Sequence, residues 1–347
     1  MTTTKEMAGA GVRLSPRPLI ELGVSFWSAK ALLTAVEIGL FTELARGPAT
    51  ELELRDRMNL HERSAGDFLD ALVALDVLDR SDGRYRNSPA ADAYLDESKE
   101  TYLGGWMRQA SRHLFGAWGG LTESLRTGKP HIGWDSADYF QRLYEDQEER
   151  RRFIAAMDAM TNHLALELAE GLDWSGRTDF VDVGGARGNL SAYLARAHPH
   201  LRGTVVDLPE LGDLFAEHMR TMGTEDRIAF VTADFFADEL PEADVLIFGH
   251  ILHDWDDDQR RELIARAYPA VRPGGCVIIY DRMIDDDRRE KAVSLLGCLN
   301  LLLVTPGGSE YTVARCRSYA ADAGFSRTTT LPLFDGLETA VIGWKEG

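Results

Sequence analysis

The sequence predicts an α/β fold: a doubly wound, Rossmann-like sheet with its last strand antiparallel, preceded by a small helical, winged-helix-like module. Three observations lead there. Four short apolar runs within residues 180–248 lead into glycines or carboxylates, as strands do at the carboxyl edge of a parallel sheet. A helix, helix, hairpin succession fills residues 50–86. Two last strand-like runs, residues 327–333 and 339–344, are close enough in sequence to pair antiparallel. The implied organisation is a loose tail at 1–17, the winged-helix-like module at 18–100, a helical connector at 101–172 and the sheet domain at 173–347.

The elements follow in chain order. Ser15, Pro16, Arg17 and Pro18 close the tail. Residues 22–44 read as helices broken at Gly39, with Phe26, Leu33, Val36, Leu40 and Leu44 on the apolar side. Thr50 and Glu53 form a capping box that opens a short helix; Ser64 and Asp67 start a second, expected to bury Phe68, Leu72 and Leu75. Asp82 and Gly83 turn a hairpin. A winged helix raises DNA binding as a function, but Asp67, Asp70 and Asp76 on the would-be recognition helix carry the wrong sign for phosphate. The module has more apolar positions than so short a domain buries alone, which predicts dimerisation.

Residues 101–173 read as mainly helical and rich in rings: Trp106, His113, Phe115, Trp118, Trp134, Tyr139, Phe140 and Tyr144. A charged helix face at 146–152 gives way to an apolar stripe of Phe153, Met157, Met160 and Leu164. Trp106, Phe153, Met157, Met160 and Asn300 are the candidate lining of a flat aromatic pocket, where methionine adapts well to a ring.

Residues 180–190, FVDVGGARGNL, read as a buried strand, a glycine turn and the first turn of a helix. A dinucleotide fingerprint would need glycine where Ala186 and Asn189 stand, so that pattern fails. What remains is Asp182-x-Gly184-x-x-x-Gly188, which resembles motif I of class I S-adenosylmethionine-dependent methyltransferases, whose cofactor carries no phosphate. Asp207 ends the next strand, where it can accept both ribose hydroxyls; Asp234 can take the adenine amino group and Phe235 can cover the ring. The fourth strand runs into Gly249, His250, Ile251, Leu252, His253, Asp254 and Trp255. Asp256, Asp257 and Asp258 read as a helix start rather than a metal site. Arg272, Pro273, Gly274 and Gly275 end that helix before a strand at 276–280, and a further helix is expected near 288–303.

A net charge of −18 argues against nucleic acid or an anionic membrane as partner. Cys276, Cys298 and Cys316 are odd in number and lack metal-ligand spacing, so they read as reduced packing residues of a cytoplasmic protein, with no metal site implied. Neither a signal peptide nor an apolar run of membrane-spanning length is expected.

The ordered set of motif I, Val206 to Pro209, Asp234 to Phe236, His253-Asp254-Trp255 and Gly307-Gly308-Ser309-Glu310 resembles the plant and bacterial small-molecule O-methyltransferase family over nearly the whole chain. That family includes caffeate and hydroxyindole methyltransferases and bacterial polyketide-tailoring enzymes. The resemblance implies a class I methyltransferase sheet, an N-terminal homodimerisation domain, S-adenosylmethionine as cofactor and an aromatic hydroxyl as acceptor. It implies His253 as general base with Asp281 and Glu310 as acidic partners, and Gly184, Asp207, Asp234, Phe235 and Gly249 at the cofactor. Members of this fold that hydroxylate or decarboxylate a polyketide are the alternative, since motif I is common to both.

The chain departs from the plant pattern at four positions. Ala186 replaces the third glycine and requires a negative φ. Gly249 stands where plant members carry lysine, and His250 where they carry an aromatic. Asp281 is one methylene shorter than the plant glutamate, which makes Glu310 the principal partner expected for His253.

Overall fold

The computed structural model describes residues 14–132 and 143–347, so Trp134, Tyr139 and Phe140 lie outside the described residues. The chain forms two compact units, one ending at Asp96 and the other spanning Glu97–Gly347.

In the first unit Gly39, at φ 77°, separates helix Ser25–Glu37 from helix Leu40–Ala45. Thr50 caps helix Glu51–Met58 through the expected box, its hydroxyl accepting from Glu53 N while the Glu53 carboxylate accepts from Thr50 N. The second helix starts earlier than Ser64. It spans Glu62–Ala74 because His61 Nδ1 accepts from the Arg63 N–H at 3.1 Å and acts as the cap. The buried stripe is accordingly Ala65, Leu69 and Leu72; Phe68 is half-buried and Leu75 exposed. Strands β1 (Ala49–Thr50), β2 (Leu78–Ser81) and β3 (Arg84–Asn87) form an antiparallel sheet in the order β1-β3-β2. Asp82 and Gly83 have φ of 50° and 70°, the left-handed pair that a two-residue hairpin turn needs. Asp67, Asp70 and Asp76 are exposed, and Asp70 pairs with Arg80 and Tyr85.

The N-terminal helices correct two expectations. Phe26 is 54% exposed rather than packed, together with Leu19, Ile20, Leu22 and Trp27. Within the 21-residue run Arg17–Glu37 an 18-residue window has a mean hydropathy of 1.4, so by length and composition it is apolar enough to cross a membrane, against the sequence reading. It is two helices, Arg17–Gly23 and Ser25–Glu37, because Val24 leaves helical geometry between them.

The second unit is built on a seven-stranded sheet. Strands β4 (Asp179–Val183), β5 (Arg202–Asp207), β6 (Ile228–Thr232), β7 (Ala243–Gly249) and β8 (Val271–Asp281) are parallel. β9 (Arg327–Leu333) and β10 (Glu338–Trp344) close it in the order β6-β5-β4-β7-β8-β10-β9, with β10 antiparallel to both neighbours. Successive side chains point to opposite faces. Phe180, Val205, Ile247 and Ile278 meet helices Gln147–Gly171 and Asn189–Ala197 on one face. Val181, Val206, Leu246 and Ile279 meet helices Asp257–Ala270 and Val313–Ala323 on the other. Both faces are covered, which is why these strands read as unbroken apolar runs.

Two boundaries move from the sequence reading. Arg272 to Gly275 belongs to β8, whose parallel pairing with β7 already includes Ala243 with Val271. The helix expected from 288 is Ala292–Val304, because the Asp285 carboxylate accepts from the N–H groups of Arg289, Glu290 and Lys291 and holds those residues in a turn.

Candidate active site

The strand order reverses between β4 and β7, and a crevice at the carboxyl ends of such neighbours is where open α/β sheets take ligands. Gly184 follows β4 and His250 follows β7, so motif I and the segment carrying His253 open onto the same place.

At the β4 end, Gly184 has φ 70°, and a Cβ there would collide with the Ile251 side chain and lie 3.8 Å from Phe235. Backbone must therefore stay bare where the strand ends. Ala186 contradicts the expected negative φ: it sits at +53°, a conformation costing a non-glycine residue roughly 1–2 kcal/mol. Its N–H donates to Asp207 Oδ2 at 2.7 Å, and Leu208 N–H donates to Asp207 Oδ1 at 2.7 Å. Each Asp207 oxygen thus keeps one lone pair for a further donor. Burial pushes Asp207 up to about 6 against those two backbone bonds, and pushes Asp182, bonded by Ser191 Oγ–H at 2.8 Å, up to about 7.

Asp234 is exposed, with Oδ1 accepting from Phe236 N at 2.9 Å. Phe235 and Phe236 pack on Trp255 with centroids 6.1 and 4.7 Å away, which ties the loop after β6 to the His-Asp-Trp segment. Gly249 is half-buried, and a side chain there would strike the Tyr280 ring.

At the β7 end, His253 lies in the single helical turn Leu252–Asp254. Its Nδ1 is 3.2 Å from Glu310 Oε1 and 3.3 Å from Asp281 Oδ1. The shorter side chain of Asp281 does reach the imidazole, so Glu310 does not stand alone. With Nδ1 occupied, Nε2 faces away from both, 3.8 Å from Asp254 Oδ1. Burial alone would depress the imidazolium, but the charges of Asp281, Glu310 and Asp254 outweigh it and hold His253 up at about 10. Burial raises Asp281 to about 6, with the neighbouring imidazoles opposing and Tyr311 Oη–H donating to Oδ2.

Several positioning groups were not found in the sequence. Buried Arg260 donates to Leu252 O at 2.8 Å and to Ser309 O at 2.6 Å, while Ser309 N–H donates to His253 O at 2.8 Å. This clamps the Gly307 to Glu310 loop onto the His253 turn. Gly308 permits the contact, since a Cβ there would lie 2.6 Å from His253 O. Asp256 caps helix Asp257–Ala270 in a box with Gln259, as expected for a helix start. On the motif I side, Arg187 pairs with buried Asp158 of helix Gln147–Gly171, and Asn189 bonds Asn162 and His218 at 2.7 and 3.0 Å. A lone polar residue within an apolar helix stripe was the available signal for Asp158.

The candidate acceptor-lining residues are not all brought together. Trp106 lies under the Arg282 guanidinium at 5.6 Å, next to Asp281 in sequence, and Asn300 accepts from Trp118 Nε1 at 3.2 Å. Met157 and Met160 are half-buried on helix Gln147–Gly171. Phe153 packs against a cluster of Tyr144, Leu211 and Leu214 that Ala186 and Leu208 also touch, at the cofactor turn.

A bare glycine turn and a strand-end carboxylate on this sheet define a class I S-adenosylmethionine-dependent methyltransferase. Residues 118–326 match the family model of the O-methyltransferase domain, and residues 20–97 match that of the O-methyltransferase dimerisation domain. The chain belongs to this O-methyltransferase family and is an S-adenosylmethionine-dependent O-methyltransferase. It is 50% identical to the tetracenomycin polyketide synthesis 8-O-methyltransferase TcmO of Streptomyces glaucescens, over 95% of this chain and 97% of that protein. It is 43% identical to the N,N-dimethyltransferase OxyT of Streptomyces rimosus, over 89% of this chain and 90% of that protein. Human N-acetylserotonin methyltransferase, solved with S-adenosylmethionine, superposes with a TM-score of 0.87 at 26% identity, over 98% of this chain and 100% of that one.

Proposed function

We propose that this enzyme methylates a phenolic hydroxyl on an aromatic, polyketide-like secondary metabolite, with His253 as general base and Glu310 and Asp281 as its acidic partners. The observation that carries the proposal is the double carboxylate contact at His253 Nδ1. A phenol of pKa ~10 does not yield its proton to a free imidazole of pKa ~6.5; the gap is about 4.8 kcal/mol. Raising the proton affinity of His253 narrows that gap; the proton is taken by the neutral imidazole, which with a pKa of about 10 is the minor form at neutral pH and grows as pH rises. Bound S-adenosylmethionine supplies the methyl group on a cationic sulfur. Gly184 leaves room at the turn, the free lone pairs of Asp207 receive the ribose hydroxyls, and Asp234, Phe235 and Gly249 flank the adenine. Trp106, Met157, Met160 and Asn300 line the acceptor, while Phe153 packs at the cofactor turn; alignment of the acceptor for in-line displacement supplies much of the rate.

A labelled-methyl assay on polyketide phenols and hydroxylated aromatic acids, with products read by mass and NMR, tests the reading. Gain of one methylene as O–CH3 supports it; gain of oxygen or loss of carbon dioxide overturns it. The likeness to OxyT favours one second reading, an amine acceptor, which an N–CH3 product would reveal. The exposed side chains of Leu19, Ile20, Leu22, Phe26 and Trp27, at the edge of the dimerisation-domain match, support a homodimer as the assembled form. Light scattering that finds a monomer at micromolar concentration would overturn that assignment.

A further inference from the structure

The carboxylate pair on His253 poses an electrostatic problem. Asp281 and Glu310 both stand within 3.3 Å of one nitrogen, and both are almost wholly buried. Like charges sharing a buried site cannot both persist without a nearby cation, and one of them protonates. His253 supplies one positive charge for the two.

A second imidazole stands behind the pair. His250 Nδ1 is 4.0 Å from Asp281 Oδ1, and its Nε2 is 3.0 Å from Glu338 Oε2. Glu338 is fully buried at the start of β10, the strand that pairs Thr339 with Asp281, and Arg282 Nε lies 3.7 Å from its other oxygen. The His250 ring is fixed edge-on to Tyr280 at 5.4 Å and lies 5.5 Å from the His253 ring. Its backbone occupies φ 55°, a conformation that histidine and asparagine tolerate better than most residues. The charged and titratable groups facing this cluster are Tyr280 and Asp281 from β8, Arg282 just after it, Glu338 from β10, His253 and Asp254 from the turn after β7, and Glu310 and Tyr311 from the loop before helix Val313–Ala323.

We propose that His250, held by Glu338, is the counter-cation that keeps Asp281 ionised, so that two carboxylates rather than one hold the His253 imidazolium. His250 is a positioning residue in this role and does not touch the acceptor. The inference rests on the reading of His253 as the base, and it adds a group that the plant pattern of an aromatic at this position lacks. Burial opposes a charge on His250, while the carboxylates of Glu338 and Asp281 favour one and leave it with raised proton affinity.

The test is one of sign. Removing a cation that merely neighbours His253 would relieve repulsion and raise the proton affinity of His253. Removing one that holds Asp281 ionised would lower it, because Asp281 takes up a proton. In the full chain labelled with 15N-histidine, assigned through His253→Gln, His250→Asn is expected to lower the proton affinity of His253 about tenfold or more. Infrared spectra of the same variant at neutral pH should gain a carboxylic-acid band that disappears in the double variant with Asp281→Asn. In the Asp281→Asn background, His250→Asn should instead raise the His253 affinity. An unchanged or raised affinity in the single variant, or an acid band that survives Asp281→Asn, overturns the proposal. A melting curve and S-adenosylhomocysteine titration check that His250→Asn is folded; if it is not, His250→Gln is carried through the same titration. Because His253 is read by NMR without acceptor, this outcome is separable from failure of the methyl-transfer reading, which the product assay decides.

Discussion

Buried acids stand at both halves of the sheet's carboxyl edge, and they are balanced differently. At the ends of β4 and β5, Asp182 meets the Ser191 hydroxyl and Asp207 meets two backbone N–H groups. Burial lifts both toward neutrality. At the ends of β7, β8 and β10, four carboxylates, Asp254, Asp281, Glu310 and Glu338, face two imidazoles and the Arg282 guanidinium. The first half is suited to neutral hydroxyl donors with little net field. The second is arranged to hold positive charge, both the proton His253 would take and the sulfonium that would sit beside it. On the proposed reading, geometry that looks similar along one edge would serve recognition on one side and acid–base chemistry on the other.

The largest expected effect breaks the second half alone. His253→Gln keeps a polar side chain of similar reach but removes the base, so kcat should fall about 10²-fold or more while cofactor affinity stays within twofold, as read by calorimetry. Near wild-type turnover would end the assignment. Asp207→Asn breaks the first half: one oxygen becomes an NH2 that cannot accept from the Ala186 or Leu208 N–H. Cofactor Kd should rise about tenfold or more, with the acceptor-saturated rate nearly intact at saturating cofactor. Glu310→Gln sharpens the contrast. With one carboxylate gone, His253 loses proton affinity, so the ascending limb of the kcat profile should move to lower pH while its plateau drops about tenfold. A limb that moves to higher pH would contradict the charge arrangement.

Stability should register the same difference. His253 is raised from an ordinary imidazole to about 10 in the folded protein. A group raised on folding stabilises fully below its unfolded pKa of ~6.5, and that contribution is lost as pH rises through the folded value. The melting temperature should therefore decline between pH 7 and about 10, and decline less in His253→Gln. Parallel declines in the two proteins would mean that the imidazolium does not feel its carboxylates.

What the sequence disclosed divides along physical lines. Asp207 ends a strand that sequence patterning defines, and Gly184, Asp234 and His253 each lie within a few residues beyond one, so local order was enough to place them at one edge. Glu338 was hidden because only the insertion of β10 between β8 and β9 brings it beside His250. Arg260 was hidden because its bonds join two loops through buried carbonyls, which leave no periodic signal. The reach of Asp281 could not be judged from side-chain length alone, since the strand backbone sets where its carboxylate begins.

Ala186 yields the smallest effect and the most direct measure of how tightly the first half is built. Its left-handed backbone is what aims its N–H at Asp207 Oδ2. Glycine occupies that conformation without the Cβ clash, but the unfolded chain gains freedom with the same change, so the two effects partly cancel. Ala186→Gly should therefore raise stability by no more than about 1 kcal/mol and leave cofactor affinity close to wild type, since the N–H to Asp207 contact is unchanged. Chemical denaturation with cofactor titration measures both. A loss of stability beyond that range would mean that the Ala186 methyl, which packs against the Leu211 and Leu214 cluster, contributes more than its backbone conformation costs.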